Sequence, residues 1–168
     1  IEMRILALFS GDEKLIETFQ KGKDVHASVA SFVFKVPEEA VTPDMRRQAK
    51  VINFGIIYGM GVNALRANLG STREVAETFY NDYFRAFPSI KQYFETVKAD
   101  AKKFGYTETL FGRRRYFPGF KSTMPFVRAM AERMAINAPL QGTAADIVKI
   151  AMKEIDVELK RSKLTGRI

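Results

Sequence analysis

Arg46-Arg47-Gln48-Ala49-Lys50-Val51-Ile52-Asn53-Phe54-Gly55-Ile56-Ile57-Tyr58-Gly59 is the most informative stretch of the chain. Thr42 and Pro43 just before it supply a helix N-cap and a preset first turn, so a helix over 43–59 is expected. On that helix Arg46, Lys50, Phe54 and Tyr58 recur every four residues, one below another along one side. The stripe is about 18 Å long at 1.5 Å per residue, with two cations followed by two aromatic rings. Cations in the first turns of a helix oppose its dipole and cost stability unless an anion joins them. A chain of phosphates would reverse that sign. Phe54 then lies about where the sugar and base attached to those phosphates would fall, with Gly55 leaving the neighbouring surface bare. An amphipathic helix with a solvated basic start and a core-facing aromatic end fits the same spacing, and both readings stand at this point.

Working outward, 168 residues and 19.1 kDa make about one domain, and 46% apolar with 12% aromatic residues suffices for a buried core. Intrinsic disorder is thereby excluded for most of the chain. The net charge of +8 and a pI of 9.7 favour a polyanionic partner. With no cysteine, disulfides, thiol nucleophiles and cysteine-ligated metals are excluded. The longest charge-free run, 51–65, contains Asn53, Asn63 and three glycines and is too short to span a membrane. Ile1-Glu2-Met3-Arg4 and the residues after it show no basic-then-apolar signal pattern, and the ends read as cuts through a longer chain: an apolar strand at the start, and a turn entering a new strand over 164–168.

Most of the remainder reads as helix. Ser10-Gly11-Asp12 starts one that carries Leu15, Ile16 and Phe19 towards Gly22. Ser71 with Glu74 forms a capping box ahead of Val75, Phe79, Phe84 and Phe87, which Pro88 stops. Ile90, Phe94, Val97, Ala101 and Phe104 follow, with Gly105 as C-terminal stop. Tyr106 to Pro118 breaks the rhythm and reads as two short strands turning at Gly112. A helix over about 126–138, a break at Pro139, and a last helix over about 143–160 along Val148, Met152, Ile155 and Leu159 complete the pattern. Between Lys102 and Arg128 seven basic residues meet one acid, Glu108, which concentrates most of the net charge there. Arg113-Arg114-Arg115 beside Tyr116 and Phe117 fits phosphate contact, a solvated hairpin being the plainer alternative.

The pattern Arg-Arg-x-x-Lys-x-x-x-Phe-Gly-x-x-Tyr-Gly resembles motif B, the O helix of family A DNA polymerases of the bacterial DNA polymerase I type. Other pieces fall in the family's order: Ile1 to Ala7 resembles the tail of motif A, Asp24-Val25-His26 the segment before the fingers, Gly112-Arg113-Arg114-Arg115 the Gly-Arg-Arg turn, and Ala131 to Asp146 a palm segment. The resemblance covers nearly the whole chain and implies a predominantly α piece of an α+β polymerase, with helical fingers, part of the palm and a short β-hairpin near 106–118. It divides the chain into a palm segment over 1–40, fingers over 41–105 and a return to the palm over 106–168.

Residue by residue, the resemblance implies that Arg46 and Lys50 bind the incoming triphosphate, Lys50 also protonating the leaving pyrophosphate. Phe54 would pack on deoxyribose and base, and Tyr58 would stack near the template base. Glu2 would be the steric gate against a ribose 2′-hydroxyl, and His26 would contact the β-phosphate region, although Val29 stands where the family usually has Thr. Arg133, Asn137 and Gln141 step by four; Arg133 and Gln141 would reach the minor groove, where purine N3 and pyrimidine O2 accept hydrogen bonds in every pair. Asn137 fits that face or helix capping before Pro139. Arg114 and Arg115 are the candidates for duplex-backbone contact.

The implied chemistry uses two Mg2+ ions, whose aspartates the resemblance puts just outside this sequence. Asp12, Asp24, Asp44 and Asp146 read instead as caps, turns or supports, so the 168 residues alone are expected not to extend a primer. The glycines at 55, 59 and 61 imply that the helix swings onto a paired nucleotide. Primer-template DNA and deoxynucleoside triphosphates are the implied partners, with no membrane and no obligate protein partner. The implied location is the nucleoid-bearing cytoplasm for a bacterial source, a viral source being the alternative. A single-subunit RNA polymerase of phage type shares the basic residues and the Tyr-Gly; a basic helical module binding duplex DNA is the non-enzymatic alternative.

Overall fold

The computed structural model describes residues 1–166. Helices dominate, each with a local cause. α1 (Glu2–Ser10) ends where Gly11 turns left-handed, at φ 63°. α2 (Glu13–Gln20) begins at Asp12, whose carboxylate accepts from Leu15 N–H at 3.1 Å. α3 (Val25–Phe34) begins at Asp24, whose Oδ1 accepts from the N–H groups of His26 and Ala27. A 3₁₀ turn over Glu38–Ala40 leads to α4 (Pro43–Ile57), capped by Thr42 Oγ1 on Met45 N–H at 3.2 Å. Then come α5 (Val62–Leu69), α6 (Arg73–Ala86) and α7 (Pro88–Phe104), the last stopped by Gly105 at φ 82°. Strands β1 (Tyr106–Glu108) and β2 (Arg114–Tyr116) pair antiparallel, with Tyr106 opposite Tyr116 and Gly112 taking the left-handed place in the turn. A second 3₁₀ turn, Pro118–Lys121, precedes α8 (Pro125–Arg161).

α4 lies against α3, and Ala49 on α4 and Val29 and Ala30 on α3 are fully buried. Its inner side, Ile52, Ile56 and Ile57, joins Leu6, Leu15, Leu65, Tyr83, Phe87, Ile90, Ile136 and Leu140 in one core. A smaller cluster of Ala101, Phe117, Ala135 and Ala138 fastens the hairpin region to α8. The outer side of α4 stays open, which is where the stripe lies. Among the described residues no helix is long and apolar enough to cross a membrane.

The predominantly α architecture and the hairpin are as expected, but several local readings change. The opening residues form α1, not a strand: Met3, Ile5, Leu6 and Ala7 are buried, consistent with a helix packed against α2, α7 and α8. α3 was not anticipated as a helix. The cap of α6 is Thr72, one residue after Ser71, and Val75 is exposed while Ala76 and Tyr83 face inward. α4 ends at Ile57 rather than 59. Met60 N–H reaches Gly55 O (2.8 Å) and Gly59 N–H reaches Ile56 O (2.9 Å), a pair of bonds that closes the helix with Gly59 left-handed.

Pro139 does not divide the last helix. A proline inside a helix costs about 3 kcal/mol. Ile136 and Leu140 beside it are buried, each stabilising by about 1.5–3 kcal/mol, so packing outweighs the lost donor. Beyond it Val148, Met152 and Ile155 lie exposed instead of forming a buried stripe. Of the turn and strand expected over 164–168, residues 164–166 have neither helix nor strand, and 167–168 lie outside the described residues.

Tyr83 is fully buried, and its hydroxyl has no hydrogen-bond partner among the described residues. Burial, then the nearby Asp12 carboxyl, pushes its pKa far above the usual tyrosine value. Deleting an unsatisfied buried hydroxyl removes a desolvation cost of about 1–3 kcal/mol. Tyr83→Phe is therefore expected to stabilise the fold, raising Tm by about 2–4 °C per kcal/mol at this size in a thermal melt. A lower Tm would mean that the hydroxyl has a partner in solution.

Candidate nucleotide and nucleic-acid interface

Of the first-turn cations of α4, two have carboxylates supplied by the chain itself. Arg46 contacts Asp24 Oδ2 through Nε (2.8 Å) and a terminal nitrogen (2.7 Å). Arg47 pairs with Asp44, which also accepts from Gln48. The cost of cations at a helix start is thus met internally, without a bound anion. Lys50 has no ion pair among the described residues and stands with Nζ 5.9 Å from the centre of the Phe54 ring. Burial pushes the Asp24 carboxyl up, but Arg46 and two backbone N–H groups outweigh it and hold Asp24 below the usual carboxylate value.

Phe54 is half-buried between His26, whose ring centre is 5.9 Å away, and Tyr58, stacked at 6.4 Å with the planes 21° apart. Asn53, the next residue inward on α4, places its amide nitrogen 2.9 Å from His26 Nδ1. Burial lowers the His26 pKa; Asp24 opposes this, Arg46 and Lys50 lower it further, and the net lowering favours the neutral ring. Tyr58 donates to Glu2 Oε2 at 3.2 Å. Burial and then the Glu2 carboxylate raise the Tyr58 pKa, with Gln141 on α8 opposing them. A cleft of about 280 Å3 opens here, lined by Glu2, Arg4, Phe19, Val25, His26 and Phe54. Glu2, His26, Arg46, Lys50, Phe54 and Tyr58 therefore meet in one region, although they come from three helices.

Gly55 differs from expectation. It is buried, and a Cβ there would stand 2.8 Å from Met60 Sδ, so its role is to seat Met60 rather than to bare a surface. Gly59 joins the end of α4 to α8: a Cβ there would come within 3.2 Å of the Arg133 backbone. Arg133 and Gln141 are exposed on α8, about 12 Å apart at 1.5 Å per residue. Asn137 between them is half-buried, and its Oδ1 is buried without a partner among the described residues.

The three hairpin arginines divide. Arg113 is a strut: its Nε meets Asp146 Oδ1 at 2.9 Å and a terminal nitrogen meets Gly142 O at 3.0 Å. Thr109 Oγ1 donates to the other Asp146 oxygen at 2.7 Å, and Leu110 N–H donates to Thr143 Oγ1 at 2.9 Å. The Thr109 hydrogen bond leads the effects that hold Asp146 below the usual carboxylate value. Arg114 pairs with Glu108 and lies over the Tyr106 ring at 4.5 Å. Arg115 has no ion pair among the described residues and lies 5.6 Å from the Phe117 ring centre, which leaves it the freest of the three. Sequence reasoning missed Asn53 as a site residue; an amide inside the apolar run Val51-Ile52-Asn53-Phe54 was the available signal.

The sequence model of DNA polymerase family A matches residues 1–168. The chain belongs to DNA polymerase family A. Its similarity to thermostable DNA polymerase I of Thermus aquaticus is 50% identity over 155 residues, 92% of this chain and 19% of that protein. DNA polymerase I of Geobacillus stearothermophilus is 47% identical over 168 residues, all of this chain and 19% of that one. The POL domain of Pol1 from M. smegmatis, solved in complex with DNA primer-template and dNTP, superposes with TM-score 0.96 at 45% identity. That match covers all of this chain and 30% of the mycobacterial one. The chain thus spans about a fifth of the length of the curated family A relatives it matches. Neither the phage-type RNA polymerase nor the stand-alone binding module gains support from these matches.

Proposed function

We propose that the chain supplies the nucleotide-gripping fingers and adjoining palm of a template-directed DNA polymerase. Residues 1–40 and 106–168 belong to the palm in this reading, and 41–105 to the fingers. The observation that carries it is the outer side of α4: a Lys50 with no ion pair among the described residues and a half-buried Phe54 beside a cleft bordered by His26 and Glu2. Lys50 and Arg46 hold the triphosphate, and Lys50 gives a proton to the departing pyrophosphate. Phosphoryl transfer depends mainly on such positioning and charge stabilisation. For Arg46, binding means exchanging Asp24 for phosphate oxygens. Phe54 packs on the sugar and base, Glu2 occupies the space of a 2′-hydroxyl, and Tyr58 stands by the template base. Arg133 and Gln141 face the minor groove of the primer-template end, with Asn137 between them on the same side of α8, and Arg114 with Arg115 faces the duplex backbone.

The divalent metals of this chemistry do not fit here. Among the described residues no group of three potential ligands gathers. Asp12 and Asp24 are helix caps, Asp44 is paired with Arg47, and Asp146 with Arg113. Ligands for two Mg2+ ions come from outside these residues in this reading, and the 168 residues alone do not extend a primer. For a bacterial source the protein works in the nucleoid-bearing cytoplasm.

The test is incorporation of deoxy- against ribonucleotides by the full-length polymerase carrying these residues and by its Glu2→Ala variant. The parent is expected to prefer deoxynucleotides, and Glu2→Ala to erode that preference about tenfold or more, the scale of a small steric difference in a pocket. A parent that prefers ribonucleotides would overturn the reading; unchanged discrimination in the variant would remove Glu2 from the site.

A further inference from the structure

Asn53 is fully shielded from solvent on the inner side of α4. Its amide nitrogen lies 2.9 Å from His26 Nδ1, and its Oδ1 is buried without a partner among the described residues. An amide nitrogen can only donate, so Nδ1 of the ring must accept, and the single proton of a neutral imidazole then sits on Nε2. The unpartnered oxygen makes the amide a net liability for folding, since an apolar side chain of similar size would remove that cost. Stability therefore does not account for an asparagine at this place.

We propose that Asn53 is a positioning residue that holds His26 in its Nε2–H form, so that the ring offers the cleft a neutral hydrogen-bond donor. The inference rests on reading this cleft as the triphosphate site, and it specifies what His26 contributes there. Nε2 lies on the ring edge opposite the buried contact. In the Nε2–H form it donates to a phosphate oxygen; in the other tautomer it would turn a lone pair towards that oxygen and repel it. A neutral donor also adds direction without a third positive charge beside Arg46 and Lys50. The charged groups around the ring are Asp24 at the start of its own helix, Arg46 and Lys50 from α4, and Glu2 and Arg4 from α1 across the cleft.

The test combines nitrogen-15 NMR of histidine-labelled full-length chain, with His26 assigned by its loss in His26→Ala, and the KM for deoxynucleotide. In the parent the ring is expected to be neutral at pH 7 with its proton on Nε2, and KM flat across the neutral range. Asn53→Asp replaces the donor by a carboxylate that only accepts. The ring pKa should rise, and above it the proton should sit on Nδ1. KM should then depend on pH: near the parent value while the ring is doubly protonated, and about tenfold higher once it is neutral. A purely structural asparagine would raise no such profile. A proton on Nδ1 in the parent overturns the proposal without any variant having to fold, as does a flat KM profile in Asn53→Asp with Nε2–H retained. If His26→Ala leaves KM unchanged, the nucleotide reading of the cleft fails; if it raises KM while the parent carries Nδ1–H, only the assignment to Asn53 fails.

Discussion

Lys50→Ala in the full-length polymerase is expected to lower kcat by about 10²–10⁴-fold, the range for losing one positioned acid or one charge-stabilising donor. The size follows from the isolation of this ammonium. Arg46 and Arg47 each have a carboxylate neighbour, so their charge is partly spoken for before any ligand arrives. Lys50 has none among the described residues, and its position one turn above Phe54 puts it between the phosphates and the sugar in the proposed pose. The side chain is exposed, so the fold should hardly register its loss, within about 0.5 kcal/mol. Single-turnover incorporation beside a thermal melt separates the two effects. Lys50→Arg, which keeps the charge but not the geometry or acidity of an ammonium, should recover binding more than rate. An unchanged rate in Lys50→Ala would move the proton donor elsewhere.

Gly59→Ala is the second large expected effect, and it acts through the backbone. At φ +67° an L side chain is strained by about 1–2 kcal/mol. The added Cβ would also stand 3.1 Å from Arg133 Cγ and 3.2 Å from Arg133 Cα. That contact lies on the rigid axis of α8, so little of it can relax; overpacking of this kind costs about 1–3 kcal/mol. The sum of about 2–5 kcal/mol should appear as a lower denaturation midpoint, with primer-template affinity falling as well because Arg133 is displaced. Gly61→Ala is the matched control: its place is open and needs no left-handed backbone. Equal effects of the two substitutions would disprove the steric origin.

What could be read from the chain beforehand follows the range of the forces involved. Asp12, Thr42-Pro43, Gly105 and Gly112 act on their own turn, and each does in the structure what local chemistry demands. The four-residue spacing of Arg46, Lys50, Phe54 and Tyr58 likewise placed the open side of α4, since helical geometry alone sets it. Misreadings arose where distant packing decides. A short apolar run such as Ile5-Leu6-Ala7-Leu8 has no period that separates strand from helix. Pro139 carries a local helix-breaking preference that the burial of Ile136 and Leu140 overrides. The partners of the site were the least legible part: Asp24 finds Arg46, and Asn53 finds His26, across a fold-back of α3 onto α4 that no neighbouring residue announces.

The unbroken course of α8 through Pro139 has a mechanical corollary. Arg133, Gln141 and the seat of the hairpin strut are mounted on one beam, so their spacing is fixed by the helical rise and cannot be adjusted piecemeal. The part of α8 beyond the proline extends roughly 33 Å, and a change of only about 10° in axis direction at that point would sweep the tip by roughly 6 Å. Alignment of whatever meets that tip is thus governed by the snug lodging of a single imino acid in the core.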